Sequence, residues 1–73
     1  MSSNTRVRVC WVIKYVSEDD VCYLTKKHEV SNSISDALRF DIKSDADYTS
    51  ESNSVTDIMT LKGYEVIIER LVK

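Results

Sequence analysis

"RVRVCWVIKYV", residues 6–16, decides the fold. Val7, Val9, Trp11, Ile13 and Tyr15 alternate with Arg8, Cys10, Val12 and Lys14, so that one face is wholly apolar. Alternation with a period of two marks a strand that buries one face, and a long strand with its odd-numbered residues on the core is expected. "SEDD", residues 17–20, follows as a polar turn without the Asn-Gly or Asp-Gly pair of a tight two-residue hairpin. "VCYLTKKHEV", residues 21–30, reads as the returning strand. With Val16 facing Val21, the register sets Cys22 opposite Tyr15, Cys10 opposite Lys27, and Arg8 opposite Glu29, the last a favourable cross-strand charge pair.

Outward from this hairpin the pattern changes. Ser33 followed by Asp36 resembles a capping box, and Ile34, Ala37, Leu38 and Ile42 fall at helical spacing. A helix from about Ser33 to about Ala46 is expected, although Leu38, Phe40 and Ile42 also alternate as in a strand. Ser54 with Asp57 repeats the capping signal, and Val55, Ile58, Met59 and Leu61 can make a short apolar face. Gly63, the only glycine, is placed to end that helix, with a hairpin turn at Lys62–Gly63 as the alternative. "YEVIIERLV", residues 64–72, has Tyr64, Val66 and Ile68 on one face and Ile67 and Leu71 on the other. Apolar side chains on both faces predict an interior strand, or one whose second face meets another chain. The expected fold is α+β: a small antiparallel sheet of three to four strands, made of a long N-terminal β-hairpin plus a C-terminal strand, packed against one helix and accompanied by a second short helix or loop. Val9, Trp11, Ile13, Leu24, Leu38, Ile42, Val66 and Ile68 are the expected core.

A chain of 73 residues is one domain near the lower limit for a self-sufficient hydrophobic core. Its 42% hydrophobic and 30% charged residues fit a folded soluble domain rather than a disordered tail. No apolar run approaches the ~18 residues of a spanning helix, and MSSNTR is unlike a signal peptide, so no membrane association and a cytoplasmic location are expected. Two cysteines without CxxC spacing suit a reducing compartment, and the hairpin register holds their sulfurs apart.

Catalytic and cofactor chemistry has little to work with. His28, the sole histidine, would lie diagonal to Cys10, yet no third group orients it and no glycine-rich turn supplies an oxyanion site. Two cysteines and one histidine do not make a four-ligand zinc site. A calcium loop starting at Asp45 would use Asp47, Thr49, Glu51, Asn53 and Thr56, but Ser50 stands where such loops need glycine and the final bidentate Glu is missing. The expectation is a non-enzymatic protein without a metal or cofactor.

The net charge of −2 hides an asymmetry. Residues 36–57 hold six acids and two bases, whereas the rest of the chain has eight bases and six acids. Asp36, Asp41, Asp45, Asp47 and Glu51 recur along the expected helix and just beyond it, opposite Ile34, Leu38 and Ile42. Spaced carboxylates of this kind can engage the basic groove of a protein partner or stand in for a phosphate backbone. Against this stands the plain reading of a solvated helix face. A second expectation, less favoured in an acidic chain, is nucleic-acid binding by Arg6, Lys14, Lys26 and Lys27 on the hairpin, with Tyr23 for stacking. A third is a homodimer through a sheet edge or the two-sided C-terminal strand.

The order strand, strand, helix, then a closing "GYEVIIERL" strand at residues 63–71 resembles the β-β-α-β plan of small phage-encoded inhibitors of host enzymes, among them an inhibitor of host RNA polymerase. There too a helix is followed by a glycine and an aromatic that open the last strand, as Gly63–Tyr64 do here. The resemblance covers most of the chain as architecture and carries no sequence motif or contact residue; an extra helix or loop between about residues 47 and 62 departs from it. It implies a small binding protein that inhibits or regulates a nucleic-acid-handling enzyme in the host cytoplasm.

Overall fold

In the computed structural model, which describes residues 8–72, β1 (Val9–Val16) is the spine of a four-stranded antiparallel sheet. β2 (Val21–Leu24), β3 (Val30–Ser31), α1 (Lys43–Ser52), α2 (Ser54–Leu61) and β4 (Glu65–Val72) follow, and the strand order is β3-β2-β1-β4. This is the α+β fold expected, with the N-terminal hairpin and C-terminal strand in one sheet and two helices on it. β4 runs the full length of β1, from Val9 opposite Val72 to Val16 opposite Glu65. The hairpin register is also as expected near its turn, with Val16 opposite Val21 and Tyr15 opposite Cys22.

Farther from the turn the hairpin splits. β2 stops at Leu24 because Thr25–Glu29 folds back on itself: Thr25 N–H donates to the Glu29 carbonyl at 2.9 Å and His28 N–H to the Thr25 carbonyl at 3.0 Å. The Thr25 hydroxyl also accepts from the N–H groups of Lys27 and Glu29, and His28 adopts φ 59°, in the left-handed region. Residues 21–30 are therefore two strands rather than one, and the expected pairs Cys10–Lys27 and Arg8–Glu29 do not form.

The edge of β1 that β2 abandons is taken by residues 37–40. Trp11 and Phe40 exchange N–H···O bonds of 2.8 and 2.9 Å, and Leu38 N–H donates to the Leu24 carbonyl at 2.9 Å. Buried backbone groups must be paired, and here the alternation of Leu38, Phe40 and Ile42 prevails over the helical spacing. The helix expected from Ser33 to Ala46 is thus corrected: Ile34–Asp36 is a single 3₁₀ turn without a side-chain cap, residues 37–42 are not helical, and α1 starts at Lys43.

The odd-numbered face of β1 meets the helices, as expected. Ile13, Tyr15, Cys22, Leu24, Ala46 and Met59 are buried there, with Trp11, Phe40, Val55, Tyr64, Val66 and Ile68 packed around them. Leu38 is half-buried, whereas Val9 and Ile42, two expected core residues, are exposed. The even-numbered face also carries buried residues, since Cys10, Val12, Tyr23 and Ala37 lie there beside half-buried Leu71. Cys10 and Cys22 consequently sit on opposite faces of the sheet, and both are free thiols.

Asn53, rather than Ser54, caps α2: its Oδ1 accepts from Val55 N–H at 2.8 Å. Val55 and Met59 turn inward, while Ile58 and Leu61 face out, so the expected four-residue apolar face is only half used. Gly63 at φ 94° ends the helix as expected. β4 then occupies the edge of the sheet, which corrects the expectation of an interior strand.

Candidate functional site

α1 is an unusual helix to find on a small core. Ile42 precedes it without a side-chain cap, and only Ala46 and Ser50, four residues apart, are buried. Two small side chains on one stripe let the backbone lie close to the sheet, and every larger residue of "KSDADYTSES" is left on the flanks or the outer face. Ser50 and Ser52 satisfy their hydroxyls by donating back to the carbonyls of Asp47 and Tyr48, at 2.8 and 2.9 Å. Tyr48 points away from the protein and is 72% exposed, flanked one turn away by Asp45 and Glu51.

The charges on this helix are unequal in availability. Lys43 Nζ lies 3.2 Å from Asp47 Oδ2 and 5.9 Å from the centroid of the Trp11 ring. Lys43 and Asp47 are thereby committed to each other, an exposed pair worth ~0.3–0.5 kcal/mol. No described residue forms an ion pair with Asp41, Asp45 or Glu51. Asp45, Tyr48 and Glu51, three residues apart, share one exposed face of α1.

Asp36 does not join it. It accepts from Ser31 Oγ at 2.7 Å and lines a different feature, an open cleft of about 480 Å³. Lys26, Lys27, Arg39 and Glu29 line the same cleft, so three cations face two carboxylates. The ragged acidic stripe from Asp36 to Glu51 expected opposite Ile34, Leu38 and Ile42 is therefore corrected, because the helix that would have aligned Asp36 and Asp41 with the rest begins only at Lys43. Of the basic candidates, Lys26 and Lys27 come together at this cleft. Lys14 lies on β1 opposite Tyr23, 3.5 Å from Glu69, whose Oε1 has no hydrogen-bond partner among the described residues. Tyr23 is buried and offers no stacking face, and Arg6 lies outside the described residues. His28 is bonded to the Asn53 amide at 2.8 Å rather than standing beside Cys10.

Sequence reasoning missed Tyr48 and Arg39. The signal for Tyr48 was present, as the lone large apolar residue inside the most polar stretch of the chain. Arg39 had none, since only the placement of residues 37–40 beside β2 brings it to the Lys26–Lys27 turn. Among the described residues no group of three metal-ligating side chains converges, and no helix is long and apolar enough to cross a membrane. No protein-family model, curated protein or solved structure matches the chain.

Proton-binding groups cluster instead in the structural core at the hairpin end. Burial pushes the Tyr15 phenol up from 10.0, countered by its 2.8 Å hydrogen bond with Thr56. Burial likewise raises the Cys22 thiol from 9.0, with the charge of Asp20 adding to it. The hydrogen bond Tyr64 donates to Asp20 Oδ2 at 2.7 Å raises Tyr64 as well. In each case the folded state holds its proton more tightly than the unfolded state, so stability is complete below the unfolded values and falls as pH rises through 9.0 and 10.0. The urea midpoint should accordingly fall as pH rises through 9.0 and past 10.0, and Cys22→Ala should remove the part of the fall that begins first.

Proposed function

We propose that the chain is a small non-enzymatic protein-binding module whose acidic α1 face docks in a basic groove of another protein. The observation that carries this is Tyr48, 72% exposed between the carboxylates of Asp45 and Glu51, which form no ion pair with any described residue. A tyrosine offers a rigid, amphipathic contact surface at low entropic cost, and such residues are enriched among the anchors of protein interfaces. Carboxylates around it supply complementarity to Lys and Arg, and their spacing along a helix suits a groove built for phosphates. An inhibitor or regulator of a nucleic-acid-handling protein, of the phage-encoded type the architecture resembles, is the reading this surface supports best.

A pull-down with the tagged chain, from lysate of the host and at two salt concentrations, tests it. Capture should weaken with salt and be lost in a Tyr48→Ala, Asp45→Asn, Glu51→Gln triple variant that remains folded. It should be unaffected by Lys26→Gln with Lys27→Gln; undiminished capture by the triple variant overturns the proposal. One observation favours a second reading, nucleic-acid binding at the cleft of Lys26, Lys27 and Arg39. That reading predicts a salt-sensitive gel shift abolished by the two lysine replacements.

A further inference from the structure

β4 carries a conflict between its sequence and its place. Val66, Ile68 and Leu71 pack on the two faces of the sheet and Ile67 is 40% exposed, the two-sided apolar pattern of an interior strand. Yet the sheet ends at β4, and no described strand pairs with its outer edge. The opposite edge, β3, is only two residues long, a length that discourages edge pairing. β4 has eight residues, with neither proline nor glycine to blunt it.

The ladder fixes which backbone groups face outward. Trp11 exchanges both its N–H and its C=O with Phe40, on the side of β1 away from β4. Antiparallel strands alternate the direction of these groups residue by residue. The even-numbered residues of β1 therefore bond to β4, where Val12 faces Glu69 and Lys14 faces Ile67. Inward bonding thus belongs to Glu65, Ile67, Glu69 and Leu71, and the N–H and C=O groups of Val66, Ile68 and Arg70 point away from the protein.

We infer that a second copy of this chain supplies the missing strand, β4 against β4, in an isologous two-fold dimer with a continuous eight-stranded sheet. A two-fold axis that sets identical edge strands antiparallel stands perpendicular to the sheet, so each face continues across the junction and even residues face even residues. Ladder length and charge then select the register, since an axis at Val66 would leave only Glu65–Ile67 of the strand paired and an axis at Arg70 would oppose two arginines. Centring the axis on Ile67 sets Glu65 against Glu69 of the second copy, and centring it on Glu69 sets that residue against its own copy, both repulsive. Centring it on Ile68 opposes no like charges: Ile68 faces Ile68, Val66 faces Arg70, Ile67 faces Glu69 and Glu65 faces Leu71. The outward groups of Val66, Ile68 and Arg70 are then paired reciprocally. Both helical layers lie on one side of this sheet, so the dimer presents two α1 faces in the same direction.

Light scattering across a concentration series should give a mass of twice 8.4 kDa at high concentration. Arg70→Pro removes an outward N–H that no bond among the described residues uses, at an exposed position where an edge strand tolerates proline. It should keep the circular dichroism of the fold and weaken dimerisation about ten-fold or more, or about 1.4 kcal/mol. The register has its own test, which does not depend on the proline variant folding. Ile67 and Glu69 of the two copies form a non-hydrogen-bonded pair with Cα atoms about 4.5 Å apart, within disulfide reach. Mixed Ile67→Cys and Glu69→Cys chains should therefore oxidise to a covalent heterodimer. Neither variant should cross-link with itself, since like positions are diagonal neighbours about 7–8 Å apart. A monomeric mass at every concentration, an Arg70→Pro chain that dimerises like its parent, or self-cross-linking by Ile67→Cys alone overturns the inference.

Discussion

Leu24→Ala should pull the urea midpoint down to a small fraction of the parental value and populate the unfolded chain even in dilute buffer. Leu24 is fully buried where β2 ends, among Ile13, Tyr15, Met59 and the residues packed around them. Its carbonyl receives the N–H of Leu38 at the wedge that splits the hairpin. Truncating a buried leucine to alanine costs about 2–5 kcal/mol, transfer and cavity terms together. A domain of this size has only about 3–5 kcal/mol from its core, so the substitution consumes most or all of the margin. Urea denaturation followed by tryptophan fluorescence measures it directly, since Trp11 packs on the same cluster. Leu61→Ala is the matched control: at 88% exposure it should move stability by no more than about 0.5 kcal/mol. A Leu24→Ala chain with the parental midpoint would mean that the core is not where these contacts place it.

Asn53→Ala should be the most damaging polar substitution, at about 1–3 kcal/mol. Asn53 is 9% exposed and stands in extended conformation between α1 and α2. Its Oδ1 caps α2 at Val55, which fixes the amide orientation and leaves Nδ2 to donate to His28 Nδ1 at 2.8 Å. One side chain therefore starts a helix and ties the left-handed turn after β2 to the helical layer. Asn53→Ser separates the two roles, because it keeps a capping acceptor and is too short to reach His28. The midpoint for Asn53→Ser should fall between those of the parent and Asn53→Ala; if the two variants lose equal stability, the His28 contact outweighs the cap.

The two halves of the chain differ in how far they could be read. Residues 9–16 alternate without ambiguity, and the register with 21–24 followed from joining two strand patterns across a short polar turn. Residues 33–46 were ambiguous because Leu38, Phe40 and Ile42 fit a strand while Ile34, Ala37 and Leu38 fit a helix. What decided between them was a vacancy beside Trp11, which exists only because Thr25–Glu29 turns β2 away. That turn rests on the Thr25 hydroxyl and on His28 at φ 59°, neither of which carries a strong sequence signal. The acidic residues were legible as a group, but their division into an α1 surface and an Asp36 cleft depended on where the helix began. "KSDADYTSES", the least apolar part of the chain, is a helix held by Ala46 and Ser50 alone, and burial of two small residues leaves almost no periodic signature.

By itself the sequence determined the strand hairpin, the α+β class, the helix stopped by Gly63 and the two-sided final strand. These depend on local periodicity and backbone preference, which neighbouring residues set among themselves. Tertiary structure alone decided that residues 37–40 pair with Trp11 and Leu24, that Tyr48 faces outward between the carboxylates of Asp45 and Glu51, and that β4 lies at an edge. Each of these follows from competition between distant segments for the same unpaired backbone groups and the same apolar surface, and no short stretch of the chain contains the terms of that competition.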